Sequence, residues 1–185
     1  MLKDMNLEVL REIEKEAKQK DLPIIGKVKG KVLAELVSRY KPTTILEIGT
    51  LVGYSAIIMA SKLKKGKLIT IEIDPDKAEI AKSNIFKAGL ANKIEVVVGD
   101  AKEIIPKLNV EIDMLFIDAK KEEYLVYLKL TEAKLKKGAI VVADNVKMFE
   151  NRMKDYLEYV RNSGKYKSSS IDFGYDAMEI SFKLE

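Results

Sequence analysis

Asp118 and the pair Asp144-Asn145 follow short apolar runs, at Ile112–Ile117 and Ala139–Val142. If those runs are neighbouring parallel strands, their ends bring two carboxylates and one carboxamide around a point. An all-oxygen set of this kind suits a hard cation, with positions left open for water or substrate. The competing reading is a pair of helix caps, because Asp and Asn are favoured there. Against it, both acids end core strands, where an unpaired charge is costly. Lys121 lies three residues past Asp118, at the start of a helical pattern. The helix dipole disfavours a cation there, and with a metal nearby this moves the amine towards general-base duty. The plainer alternative, one solvated face made of Lys120, Lys121, Glu122 and Glu123, stays equally open.

A second set surrounds Glu47-Ile48-Gly49-Thr50-Leu51-Val52-Gly53-Tyr54-Ser55, where an apolar run passes straight into a helical pattern. Gly49 allows a tight turn. Gly53 lets backbone approach a ligand at a helix N-terminus, where free amides and the dipole favour an anionic group. Glu72 ends the next apolar run, and its carboxylate is placed to accept from ribose hydroxyls. Together these residues describe a nucleoside-plus-anion site, against a plain strand–helix turn with surface acids. The glycine spacing is E-x-G-x-x-x-G rather than G-x-G-x-x-G, which speaks against a dinucleotide. Gly99-Asp100-Ala101 follows a third run and could border an adenine edge, although Asp there is also a common helix cap.

What is missing narrows the chemistry further. The 185 residues contain no Cys, no His and no Trp. Disulfides, thiolate nucleophiles, Cys- or His-ligated metals and Ser-His-Asp triads are therefore excluded. Any catalysis falls to carboxylates, Lys, Tyr, hydroxyls or an oxygen-ligated ion. The net charge of +4 neither argues for nucleic acid nor dismisses it. Apolar runs such as Ala139–Ala143 are far too short to cross a bilayer, and the first twenty residues carry mixed charges unlike a secretory signal. A cytoplasmic protein without membrane attachment is expected.

The elements that must hold these residues alternate regularly. Apolar runs at Ile45–Ile48, Leu68–Ile73, Ile94–Val98, Ile112–Ile117 and Ala139–Val142 read as strands buried on both faces. Helical patterns separate them at 54–64, 76–88, 101–108 and 121–136, which predicts a parallel sheet with right-handed crossovers. Earlier helices are expected around Leu7–Ala17 and Val28–Tyr40. A last helix at 150–162 precedes strands near 166–173 and 177–183, with Gly174-Tyr175 between them. The expected fold is α/β: a Rossmann-like, doubly wound, seven-stranded sheet, mostly parallel, closing in a C-terminal antiparallel hairpin. One domain spans 1–185, with an N-terminal helix over 1–22 and a core over 23–185. The clusters Leu63-Lys64-Lys65-Gly66 and Leu135-Lys136-Lys137-Gly138 read as helix C-caps rather than basic patches. Tyr156, Tyr159 and Tyr166 could stack on bases, but helix packing explains the first two more simply.

Taken in order, these motifs resemble the S-adenosylmethionine-dependent O-methyltransferases of the catechol and caffeoyl-CoA type, from about Ile24 to the C-terminus. The resemblance rests on Gly26-Lys27-Val28-Lys29-Gly30, Leu46-Glu47-Ile48-Gly49 through Gly53-Tyr54-Ser55-Ala56, and Glu72 with Asp74-Pro75-Asp76. It continues through Gly99-Asp100-Ala101, Phe116-Ile117-Asp118-Ala119-Lys120-Lys121 with Tyr124, and Ala143-Asp144-Asn145-Val146. It implies that Glu47, Gly49, Gly53 and Ser55 hold the methionine part of S-adenosylmethionine, with the backbone near Ile25 closing over it. Glu72 would take the ribose hydroxyls, Asp100 and Ala101 would border the adenine, and Asp118 would stand beside the cofactor. Asp118, Asp144 and Asn145 would bind Mg²⁺, or another divalent ion such as Mn²⁺ or Ca²⁺. Lys121 matches the family's general base, and Asp176 falls near its acidic residue that contacts the acceptor hydroxyl.

The resemblance therefore implies metal-dependent methyl transfer to a hydroxyl of a small catechol-like or other vicinal-oxygen acceptor, by a chain that could form a homodimer. The same family includes enzymes that methylate a hydroxylated uridine in tRNA, the alternative acceptor. Two readings of other classes are a nucleotide-binding oxidoreductase, which the glycine spacing disfavours, and a non-catalytic S-adenosylmethionine-binding module, which the metal set and Lys121 disfavour. Three features depart from the family. Lys120 stands where Asp is common, the N-terminal region is short, and the segment after Asn145 lacks the longer insertion of the plant enzymes.

Overall fold

The computed structural model describes residues 2–185, with side chains from Met5 onward; the first residue of the expected helix over 1–22, Met1, lies outside the described residues. The elements are α1 (Leu2–Lys20), α2 (Gly26–Tyr40), β1 (Thr44–Ile48), α3 (Tyr54–Lys62), β2 (Lys67–Glu72), α4 (Pro75–Lys87), β3 (Ile94–Val98) and α5 (Ala101–Ile104). They continue as β4 (Ile112–Ile117), α6 (Tyr124–Glu132), β5 (Leu135–Ala143), α7 (Lys154–Asn162), β6 (Tyr166–Asp172) and β7 (Ala177–Lys183). The strand order is β3-β2-β1-β4-β5-β7-β6. The sheet has the seven expected strands: β2–β3, β1–β4 and β4–β5 pair in parallel, while β5–β7 and the β6–β7 hairpin are antiparallel.

Two compact units make up the chain: residues up to Thr43 with Thr50–Gly99, and Thr44–Gly49 with Asp100–Glu185. In the first, β2 pairs with β3 in parallel from Leu68↔Ile94 to Glu72↔Val98. Helix α3 is buried from Tyr54 through Ala60, so a short sequence of mostly small and aliphatic residues forms a core helix. Asp74 caps α4, accepting from the amides of Asp76 and Lys77, and Pro75 supplies the preset φ of a first helical turn.

The second unit carries β1, β4, β5, β7 and β6. Ile45, Leu46, Met114–Ile117 and Val141–Ala143 are fully buried, as continuous apolar strands require. Each such Ile or Leu contributes roughly 1.5–3 kcal/mol of burial free energy. On α7, Tyr156, Leu157 and Val160 form one buried stripe. The aromatic cluster joins the packing too: Tyr124 meets Tyr156 edge-on at 5.7 Å, and Tyr159 and Tyr166 both donate to Glu132.

Three helices end earlier than the sequence expectation. Helix α6 stops at Glu132, and Leu135-Lys136-Lys137-Gly138 opens β5 instead of capping a helix. Between Ile112↔Leu135 and Met114↔Ile140 the chain advances two residues on β4 and five on β5, so Lys136–Ala139 bulge out of register. Lys136 Nζ pairs with Asp113 Oδ1 at 2.9 Å. Near α3 the last helical residue is Lys62, and Lys64-Lys65 lie in the turn to β2. Pro106 breaks the pattern expected over 101–108 into a four-residue helix and a 3₁₀ turn.

Candidate active site

Ile48, Ile117 and Ala143 are in register across β1, β4 and β5. The ladder runs one residue further: the Asp118 amide donates to Ile48 O at 2.9 Å and the Asp144 amide to Ile117 O at 3.1 Å. Gly49, Asp118 and Asp144 therefore leave three adjacent strands at one level. A Cβ on Gly49 would sit 2.1 Å from the Asp118 carbonyl oxygen, and its φ is +99°. Only glycine fits there, because both the contact and the backbone exclude a side chain. Glu47, fully buried, precedes this turn on β1 opposite Phe116.

The polar groups at this level join in one hydrogen-bonded chain. Lys121 Nζ donates to Asp118 Oδ1 at 2.8 Å, Asn145 Oδ1 at 2.6 Å and the Tyr124 hydroxyl at 2.9 Å. Its side chain is 12% exposed and that of Asp118 19%, so water screens the pair little. The solvated-face reading of Lys121 therefore fails, although Lys120 and Glu122 do face solvent. The Tyr124 hydroxyl donates to Asp144 O at 3.2 Å; burial, then the charges of Asp118 and Asp144, push this phenol up and keep its proton on. On the far side Asn145 Nδ2 donates to Asp176 Oδ2 at 2.7 Å, and the Met148 amide donates to Asp176 Oδ1 at 3.0 Å. Asn145 has φ +63°, a left-handed conformation that Asn tolerates better than most residues. The ring of Phe149 lies 5.8 Å from Lys121 Nζ.

Asp100 caps α5, accepting from the Lys102 amide at 2.8 Å, and Ala101 is buried at the helix start. Lys102 Nζ reaches Glu123 at 2.9 Å, which also accepts from Lys120 and from the Tyr127 hydroxyl at 2.6 Å. These donors, Tyr127 foremost, hold the Glu123 carboxyl down at about 2. The segment carrying Lys121 is thereby braced to the start of α5.

In the first unit, Glu72 organises the glycine turn. Its Oε2 accepts from the Thr50 and Leu51 amides at 3.1 and 2.7 Å, and Oε1 from the Asp74 amide at 3.0 Å. Thr50 and Thr70 hydroxyls meet at 2.6 Å, and Asn84 Nδ2 donates to Val52 O at 2.9 Å. Gly53, at φ +85°, is the N-cap of α3, and Ser55 is buried in its first turn. Ile25 precedes α2 as its N-cap residue.

The O-methyltransferase family model matches residues 3–159. The chain belongs to the O-methyltransferase family. It is similar to catechol O-methyltransferase B of Danio rerio, 41% identical over 152 residues covering 78% of this chain and 57% of that one. It is also similar to catechol O-methyltransferase of Mus musculus, 34% identical over 169 residues covering 87% and 63%. The chain thus spans about three-fifths of the length of these two relatives. Among solved structures, the O-methyltransferase TomG from Streptomyces achromogenes, involved in tomaymycin synthesis and in complex with SAM, superposes with a TM-score of 0.89. It is 29% identical, and the match covers 96% of this chain and 90% of that one. Among the described residues of this O-methyltransferase-family chain, no helix is long and apolar enough to cross a membrane.

Sequence reasoning passed over three residues of these clusters. Tyr124 stood in the family motif without a role of its own, yet its hydroxyl links Lys121 to the end of β5. Its spacing of three from Lys121 at a helix start was the available signal. Asn84 and Phe149 sit inside ordinary helical or loop patterns, where periodicity carries no mark of a polar tie or a ring beside a cation.

Proposed function

We propose that this chain transfers a methyl group from S-adenosylmethionine to a hydroxyl of a small catechol-like acceptor, aided by a divalent cation. The observation that carries the reading is the convergence of Asp118 and Asn145 oxygens on the Lys121 ammonium, with Asp144 leaving the neighbouring strand at the same level. It supports the reading because a catechol presents two adjacent oxygens, one to be deprotonated and one to be held.

The residues fit a hard cation. The donors are all oxygens, and two of them already face one positive charge. Among the described residues no three carboxylates form a metal-binding group, so the neutral Asn145 carbonyl would complete the set with Asp118 and Asp144. A divalent cation bound there supplies Lewis acidity that makes a nearby hydroxyl easier to deprotonate.

The chain's own residues do the rest. Glu72 fixes the Thr50 and Leu51 amides, which sets the path of the glycine turn before a nucleoside arrives. A carboxylate offers about four acceptor positions, so three amides leave it capacity for a ribose hydroxyl. Glu47, Gly49, Gly53, Ser55 and the backbone at Ile25 are assigned to the methionine part, and Asp100 and Ala101 to the adenine. S-adenosylmethionine supplies a methyl group on a positively charged sulfur. As the acceptor oxygen forms its bond to that carbon, the carbon–sulfur bond breaks, and Lys121, once its ammonium has released a proton to solvent, takes the hydroxyl proton at Nζ. General-base help of this kind contributes ~10²–10⁴-fold, and alignment of the two reactants contributes more.

The test is a labelled-methyl assay with catechols, caffeoyl thioesters and hydroxyuridine-containing tRNA, with and without Mg²⁺. Transfer to catechol that needs Mg²⁺ is the expected result. Transfer to tRNA alone would replace the acceptor.

A further inference from the structure

Asp176 lies just before β7 and is fully buried. The antiparallel return of β7 along β5 brings it to Asn145, and the Val146 amide donates to Ala177 O at 3.0 Å to hold the two segments together. Both of its oxygens face donors of this chain: Oδ2 takes Asn145 Nδ2, and Oδ1 takes the Met148 amide. Resting on the proposed cation site, we propose that Asp176 is a positioning residue that locks the Asn145 carboxamide in one orientation, with its oxygen towards the cation and its nitrogen away.

An amide has one face that accepts and one that donates, and a half-turn of the group exchanges them. With Nδ2 committed to a carboxylate, Oδ1 must point towards Lys121 Nζ, where it accepts at 2.6 Å. A carboxylate at 176 can only accept, so it admits no other orientation. Replacing it with an isosteric amide changes the logic. In D176N, the Met148 amide claims the carbonyl of the new side chain, which leaves an NH₂ facing the NH₂ of Asn145. The conflict is relieved when Asn145 turns over, and its NH₂ then faces the cation. The reciprocal pair N145D/D176N removes the conflict: an aspartate at 145 accepts from the amide at 176 and still presents an oxygen to the cation.

The experiment is a Mn²⁺ titration of wild type, D176N and N145D/D176N, reading free Mn²⁺ by electron paramagnetic resonance, with thermal melting to verify folding. Loss of a partner that orients a ligand typically weakens metal binding ~10–100-fold. D176N should show a loss of that size, and the double variant should recover it. Mn²⁺ affinity unchanged in D176N, no recovery in the folded double variant, or no Mn²⁺ uptake by wild type overturns the proposal. A rise in the catechol KM of D176N at unchanged Mn²⁺ affinity also overturns it, in favour of direct contact with the acceptor. Methyl transfer by wild type is scored separately. Its absence alongside the expected Mn²⁺ series removes the proposed reaction and upholds the role of Asp176.

Discussion

Lys121 Nζ lies 2.6 Å from Asn145 Oδ1, which ties the segment after β4 to the end of β5 through one part-buried cation. Asp118, Tyr124 and Asp176 extend that tie in both directions. The arrangement depends on three strands ending at one level.

Lys121→Ala removes the proposed base and none of the hydrogen bonds that Glu72 makes. Turnover should fall ~10²–10⁴-fold. S-adenosylmethionine affinity, measured by calorimetry, should stay within about twofold, since a factor of two is under 1 kcal/mol. Unchanged turnover would remove Lys121 from its role.

Gly49→Ala places a Cβ 2.1 Å from the Asp118 carbonyl oxygen at a φ of +99°. The backbone must shift to admit it, at a cost of ~1–3 kcal/mol. Urea unfolding should show a lower midpoint with an unchanged slope. A midpoint equal to wild type would mean that β1 and β4 separate freely at this level.

Glu72→Gln keeps one carbonyl oxygen but turns the other acceptor into a donor facing backbone amides. Leaving one of these buried amides unmatched costs about 1–3 kcal/mol. Amide hydrogen exchange at Thr50, Leu51 or Asp74 should accelerate, and S-adenosylmethionine should bind more weakly. Exchange rates identical to wild type would show that the turn holds without the carboxylate.

Glu123 is held at about 2, chiefly by Tyr127 and then Lys102 and Lys120. A carboxyl that is more acidic folded than unfolded stabilises the fold above its unfolded pKa, about 4.3, and loses that contribution as pH falls through its folded value. The melting-temperature gap between wild type and Glu123→Gln should therefore be full above pH 5 and shrink between about pH 4.3 and 2. A gap that stays constant across that window would contradict the assignment.

How much of this was readable beforehand follows from the kind of signal each part leaves. The strands Ile45–Ile48 and Ile112–Ile117 were legible because strands buried on both faces read as continuous apolar runs. The start of β5 was not, since Leu135-Lys136-Lys137-Gly138 has the composition of a helix cap and its bulge arises from pairing with β4. Asp118, Asp144 and Asn145 were legible as strand-end oxygens. The Asn145–Asp176 contact joins residues 31 apart through an antiparallel return, and no spacing rule marks it. The exact partners of Glu72 were equally hidden, because backbone amides leave no trace in a sequence of side chains.

The most direct measurement is product formation from catechol and labelled S-adenosylmethionine by wild type and Asp144→Ala, each with Mg²⁺ and with excess chelator. Methylated catechol from the wild type with Mg²⁺, and only background from the other three reactions, is the predicted result. Full activity of the wild type in excess chelator, or no methylated catechol under any condition, would contradict it.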